Sequence, residues 1–149
     1  LLGENDPDEE ACKKLNAYLE SKNLRPTIFI HRGHSYHVTS TLSKLQPSAR
    51  IVILGSCGGY NSLNEVLTIS EDAHIISSKQ VGTKTVNEPI LKAINTTLNA
   101  GRNIEWLSMW KDLSRQFAGQ AKDKFDDYIP PYKNLGAIFI KAYRKAMEQ

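Results

Sequence analysis

Three short runs of strand-forming apolar residues stand out along the chain: residues 27–30 (Thr-Ile-Phe-Ile), 51–54 (Ile-Val-Ile-Leu) and 73–77 (Ala-His-Ile-Ile-Ser). None alternates with polar residues as a half-solvated strand would. Continuous apolar runs of this length read as strands buried on both faces. Between and after them the apolar spacing changes to that of helices. Asp6, Pro7 and Glu9 form a helix start, with Asp6 as cap, Pro7 at the first helical position and Glu9 at capping-box spacing. Ala11, Leu15, Tyr18 and Leu19 then recur on one side through about Ser21. Residues 38–45 predict a short helix stopped by Pro47, and residues 60–67 another.

The second half is mostly helical. Thr85 or Asn87 is placed to cap a helix carrying Ile90, Leu91, Ile94 and Leu98, closed near Gly101. Asn103 opens the next, with Leu107, Trp110, Leu113 and Phe117. Residues 126–133, containing Pro130-Pro131, read as a loop. Leu135, Ile138, Phe139, Ala142, Tyr143 and Ala146 form an amphipathic stripe for a last helix. Strands alternating with helices predict an α/β fold, a mainly parallel sheet covered on both faces. No repeat, low-complexity tract or linker divides the chain, which is read as one domain over residues 1–149.

Composition narrows the function classes. The chain has 149 residues, 40% hydrophobic and 23% charged, with a net charge of +3. That balance fits a globular domain, and no basic run is long enough to track a phosphate backbone, so nucleic acid is not an expected partner. No apolar stretch reaches the length of a membrane span. The first residues, Leu1-Leu2-Gly3-Glu4-Asn5-Asp6, carry neither an initiator Met nor a signal-peptide layout. They read as the cut edge of a longer protein, whose remainder is an expected partner. Two cysteines, Cys12 and Cys57, make no disulfide framework. Cys12 falls in the first helical pattern, where a buried small hydrophobe is expected.

Cys57 sits in Gly55-Ser56-Cys57-Gly58-Gly59, directly after the second strand. A thiol there is held on a rigid element. Small neighbours allow a substrate backbone to approach, and amides around paired glycines can receive an oxyanion. A thiol needs a base or a positive partner to react near neutral pH. The first strand ends in His31-Arg32-Gly33-His34-Ser35-Tyr36-His37. If the two strands pair in parallel, their ends lie about 5 Å apart. An imidazole from one turn then meets a thiol from the other, at the carboxyl edge where α/β sheets bind ligands. Taken alone, each turn has a plainer reading: a tight connection with a structural Cys, and a polar surface loop. A metal site of His31, His34 and His37 is disfavoured by Gly33, which breaks the helix that would converge them, and by the lack of a further ligand nearby.

With both turns taken together, the chain resembles the caspase, gingipain, legumain, clostripain and separase group of cysteine peptidases. The resemblance rests on Ile28-Phe29-Ile30-His31-Arg32-Gly33-His34-Ser35 and Ile51-Val52-Ile53-Leu54-Gly55-Ser56-Cys57-Gly58-Gly59. It covers about residues 27–78. It implies a three-layer α/β/α sandwich with a mainly parallel sheet, lacking the strands that precede the His strand in the group. It implies Cys57 as nucleophile, His34 as general base ahead of His31 and His37, and Gly33 and Gly58 at the oxyanion. It also implies Ser77, Ser78 and Lys79 beside a peptide or protein substrate. No metal or other cofactor enters such a dyad. In this chain the glycine precedes His34 instead of following it, and Ser56 stands where the group often has Asp or Ala. Asp126 and Asp127 could face a basic substrate residue and Lys79 an acidic one, though each also reads as a solvated charge. Two other readings stand beside the peptidase. One is a catalytically silent caspase-like interaction module. The other is a Rossmann-like domain binding an anion at the glycine turn, weakened by the absence of G-x-G-x-x-G and of a P-loop lysine.

Overall fold

Because apolar runs that point to both sides of a sheet need two cores, the strands dictate a layered arrangement. The computed structural model describes residues 8–148. In chain order its regular elements are α1 (Asp8–Ser21), β1 (Ile28–His31), α2 (Val38–Leu42), β2 (Ile51–Leu54), α3 (Leu63–Ile69), β3 (His74–Ser78), α4 (Lys84–Asn99), α5 (Trp106–Gln116), α6 (Lys122–Asp126), β4 (Tyr128–Ile129) and α7 (Leu135–Met147). The four strands form one open sheet in the order β1-β2-β3-β4. The first three run parallel, and β4 pairs antiparallel to β3.

Side chains alternate across the sheet. Val52, Leu54 and Ile75 enter a core with Leu42 of α2, with Leu63, Val66 and Leu67 of α3, and with Ala137 of α7. Ile51, Ile53 and Ile76 enter a second core with Val86, Ile90 and Ile94 of α4, Trp110 and Leu113 of α5, and Phe125 of α6. Helices therefore cover both faces. All of β2 is buried, in keeping with its unbroken apolar run. β1 lies at the edge of the sheet, and there Ile30 remains 40% exposed. The apolar run of β1 therefore forms a strand, but one that is not completely buried.

Other expectations shift in identifiable ways. The Asp6-Pro7 helix start lies outside the described residues, and α1 is observed from Asp8. Helix 38–45 is shorter than expected: a 3₁₀ turn at Ser35–His37 leads into α2, which ends at Leu42. A second 3₁₀ turn, Gly59–Ser62, precedes α3. The loop expected over 126–133 contains β4, a two-residue strand too short to show a period. Helix α4 begins at Lys84, with Thr83 before it, so Asn87 is an internal helix residue and not its cap.

The last helix is turned around relative to its stripe. The face of α7 against the body carries Ala137, Ile140, Lys141 and Arg144. Arg144 donates to the Leu67 carbonyl, Asn64 Oδ1 and Thr68 Oγ1 of α3, and Lys141 Nζ donates to the Ala73 carbonyl at 3.0 Å. Arg144 thus satisfies a carbonyl in the last turn of α3, and Lys141 satisfies the carbonyl just before β3. The apolar stripe faces outward.

His74 opens β3 and packs against the Trp106 ring at 5.8 Å. Burial holds its imidazole below the ordinary value of 6.5, Lys141 adds to this, and Asp72 opposes it. The unfolded chain then binds a proton where the folded chain does not. This contribution to stability is complete above about pH 6.5 and is lost as pH falls through the lower folded value. Thermal unfolding of His74→Gln across that window is expected to show a shallower fall of Tm with acid than the parent. An unchanged slope would assign the effect to other groups.

Candidate functional site

Parallel pairing with the register His31↔Leu54 brings the two unusual turns together. His34 and Cys57 each lie three residues beyond that pair, on neighbouring strands and at the same carboxyl edge. The Gly55 amide donates to the His31 carbonyl at 2.8 Å, so the pairing extends into the start of the cysteine turn. Both His34 and Cys57 are exposed.

The three histidines do different work. His31 is 4% exposed. It sits on the α2 face of the sheet, with Nδ1 3.0 Å from Thr41 Oγ1 and Nε2 3.2 Å from the His34 carbonyl. It fastens the histidine loop to α2 and offers no imidazole to solvent. His34 follows in extended conformation at φ −67° and ψ 147°, and its ring stacks on Tyr36 at 5.2 Å. His37 closes the 3₁₀ turn, with its ring 4.2 Å from Tyr36. The rings are thus distributed over the sheet edge, a buried contact and a helix start. Among the described residues no group of three His, Cys, Asp or Glu side chains is placed to hold a metal ion.

The cysteine turn is held from below and from the side. Gly58 adopts φ +65°, a left-handed conformation that favours glycine and turns the chain away after Cys57. Ser78 Oγ donates to the Ser56 carbonyl and accepts from the Gly59 amide at 3.3 Å. Asn87 Nδ2 donates to the Gly55 carbonyl at 3.0 Å. Tyr128 Oη donates to Asn87 Oδ1 at 3.0 Å and accepts from the Thr83 amide at 2.8 Å. Gly82 passes so close that a Cβ there would lie 1.9 Å from the Gly55 oxygen. Burial pushes the Tyr128 phenol up in pKa. Its Thr83 hydrogen bond lowers it, and Asp127 and Cys57 raise it further.

Segment 79–82 is in turn fixed to Asp127, the residue before β4. The Lys79 amide donates to the Asp127 carbonyl at 2.9 Å, and Asp127 Oδ2 accepts from the Gln80 and Val81 amides at 2.9 and 2.7 Å. The Asp127 carboxylate thereby serves a turn. Of the three residues expected beside a substrate, Lys79 alone reaches the surface. Ser77 and Ser78 are fully buried, and Ser78 acts as a clamp beneath the cysteine turn. The Gly58 amide, expected at the oxyanion, donates to the Gln80 carbonyl at 3.0 Å. The Cys57 and Gly33 amides make no hydrogen bond among the described residues and remain able to donate.

Asn87 and Tyr128 escaped the sequence reading. A helix-internal Asn and a Tyr in a proline-rich stretch carry no motif, and only the fold shows that they meet. Replacing either leaves buried partners unpaired, at a cost of about 1–3 kcal/mol. Tyr128→Phe and Asn87→Ala, measured by urea unfolding, are each expected to lose stability in that range and to show coupling in the double variant. Purely additive losses would mean that the two do not act as one clamp.

Comparisons with protein-family models, curated proteins and solved structures found no match to this chain.

Proposed function

We propose that the chain is a caspase-like cysteine peptidase domain in which Cys57 attacks a peptide carbonyl and His34 moves the proton. The shared register carries this reading: His34 and Cys57 each stand three residues past the paired His31 and Leu54. The four-stranded, mostly parallel sheet with helices on both faces is compatible with the caspase-like three-layer form.

The chemistry follows from the groups present. His34 takes the Cys57 proton, and the thiolate adds to the carbonyl carbon. The Cys57 and Gly33 amides hold the developing oxyanion. Collapse breaks the C–N bond as the imidazolium protonates the leaving amine. Water, deprotonated by His34, then splits the thioester to a carboxylate and restores the thiol. No Cys57–His34 hydrogen bond is present among the described residues, so the imidazole leaves its Tyr36 stack to reach the sulfur. Such loosened geometry is common before substrate binds. Lys79, with Gln80 and Val81 after it, is exposed on the β3 exit loop and available to a substrate side chain.

The occupied Gly58 amide and the separated dyad favour a second reading, a silent caspase-like module that binds without turnover. The two differ in thiol reactivity. For the peptidase, iodoacetamide at neutral pH alkylates Cys57 well ahead of the half-buried Cys12, and His34→Ala slows Cys57 labelling. In a peptide-hydrolysis assay Cys57→Ala abolishes turnover, and His34→Ala lowers kcat/KM by about 10²–10⁴-fold. His31→Ala acts through stability and leaves the pH profile of surviving molecules unchanged. Slow labelling of Cys57 that His34→Ala does not alter, with no hydrolysis, would reject the peptidase in favour of the silent module.

A further inference from the structure

The outward face of α7 carries the longest row of exposed large apolar side chains among the described residues. Leu135 is 74% exposed, Phe139 70%, Tyr143 58% and Met147 70%, and Ile138 beside them is 47% exposed. Leu135, Ile138, Phe139 and Tyr143 belong to the stripe whose spacing reads as a core face, and Met147 extends it, while the opposite face of the same helix is spent on α3. Isolated exposed apolar residues are ordinary, but a contiguous row of large ones marks a contact surface.

We infer that this face of α7 is the contact surface for a second copy of the chain, as an antiparallel two-fold helix pair. The pattern is self-complementary. Leu135, Phe139, Tyr143 and Met147 follow one another at intervals of four and build a single ridge, flanked by the small Ala142 and Ala146. Ridges of this spacing interlock at about −50°, the commonest helix crossing, and small residues at the crossing permit an axial separation of about 8–10 Å. With the axis beside Ala142, Phe139 of one copy lies against Tyr143 of the other, and Leu135 against Met147. Each pair then recurs on the opposite side of the axis, as an isologous contact requires.

The area is sufficient. Aromatic side chains bury on the order of 150–250 Å² each, and Leu, Ile and Met somewhat less. At the exposures given, the five residues offer on the order of 600 Å² per copy, or about 1,200 Å² for the pair, the lower end of stable interfaces. An interface at that limit is expected to associate in the micromolar range rather than to be permanent. The proposal is independent of Cys57 and His34, which lie at the sheet edge.

Sedimentation velocity of the 149-residue chain tests it. A concentration-dependent shift from 16.7 kDa to twice that mass is expected between about 5 and 200 µM. Phe139→Glu is expected to hold the chain as a monomer over the whole range, with its far-UV circular dichroism unchanged. Tyr143→Asp gives the same result should the first variant fold poorly. Ala142→Cys, in a chain with Cys12 and Cys57 replaced by Ser, is expected to form an oxidised dimer through that position. A parent chain that stays monomeric at 200 µM overturns the proposal. So does a dimer that survives both charge substitutions. Monomeric chain that co-sediments with phosphatidylserine vesicles through Phe139 also overturns it and assigns the face to a lipid surface.

Discussion

Parallel pairing of β1 with β2 is the constraint on which the rest of the molecule depends. Each strand is only four residues long, yet the register is well defined, because a slip of one residue would exchange the two faces of the sheet. Phe29 would then turn from the α2–α3 core toward the α4–α5 core, and buried His31 would leave Thr41. Burial of β2 on both faces therefore fixes more than the core. It determines where the chain leaves the sheet on each strand, and so which residues of the two turns share an edge.

The rigidity of that edge is uneven. The cysteine turn is held from three directions: Ser78 beneath it, Asn87 with Tyr128 at its side, and the 79–82 segment across it. Most of these bonds are buried, where a lost partner costs more than a formed bond contributes. The histidine loop is tied through His31, through a 3.6 Å Arg32–Glu88 ion pair whose exposed groups contribute little, and through the 3₁₀ turn that begins at Ser35. For the proposed peptidase, a thiol on the fixed side and an imidazole on the adaptable side is a workable division, since a nucleophile must be aimed whereas a base that serves both the sulfur and a leaving amine has to shift between them.

How much of this was legible in the sequence varies with the physical signal. β2 was readable because its four apolar residues are buried on both sides. β1 was readable as a strand, though not as an edge, because composition does not distinguish a covered edge from an open one. The two turns were conspicuous because glycine, cysteine and histidine clusters are rare after apolar runs. Their supports were not. Ser77 and Ser78 end a strand whose final residues are polar yet fully buried, and nothing in a one-dimensional pattern separates a serine facing a cleft from one gripping a carbonyl. β4 is two residues long and joins the sheet chiefly by its place beside β3.

α7 shows the limit of periodicity most plainly. An amphipathic stripe states that two faces of a helix differ, not which one is buried. Here the apolar face is outside because the other one carries Lys141 and Arg144, whose donors reach the Ala73 and Leu67 carbonyls. Rotating the helix to bury Phe139 and Tyr143 would withdraw those donors and leave the Leu67 and Ala73 carbonyls to find other partners. On that side of α3, Leu63, Val66 and Leu67 already pack with Ala137 and Ile140. A helix anchored by cations on one side and apolar on the other is stable on this domain only as long as the apolar side costs little to solvate. A row of four large residues raises that cost, and contact with another surface is the direct way to remove it.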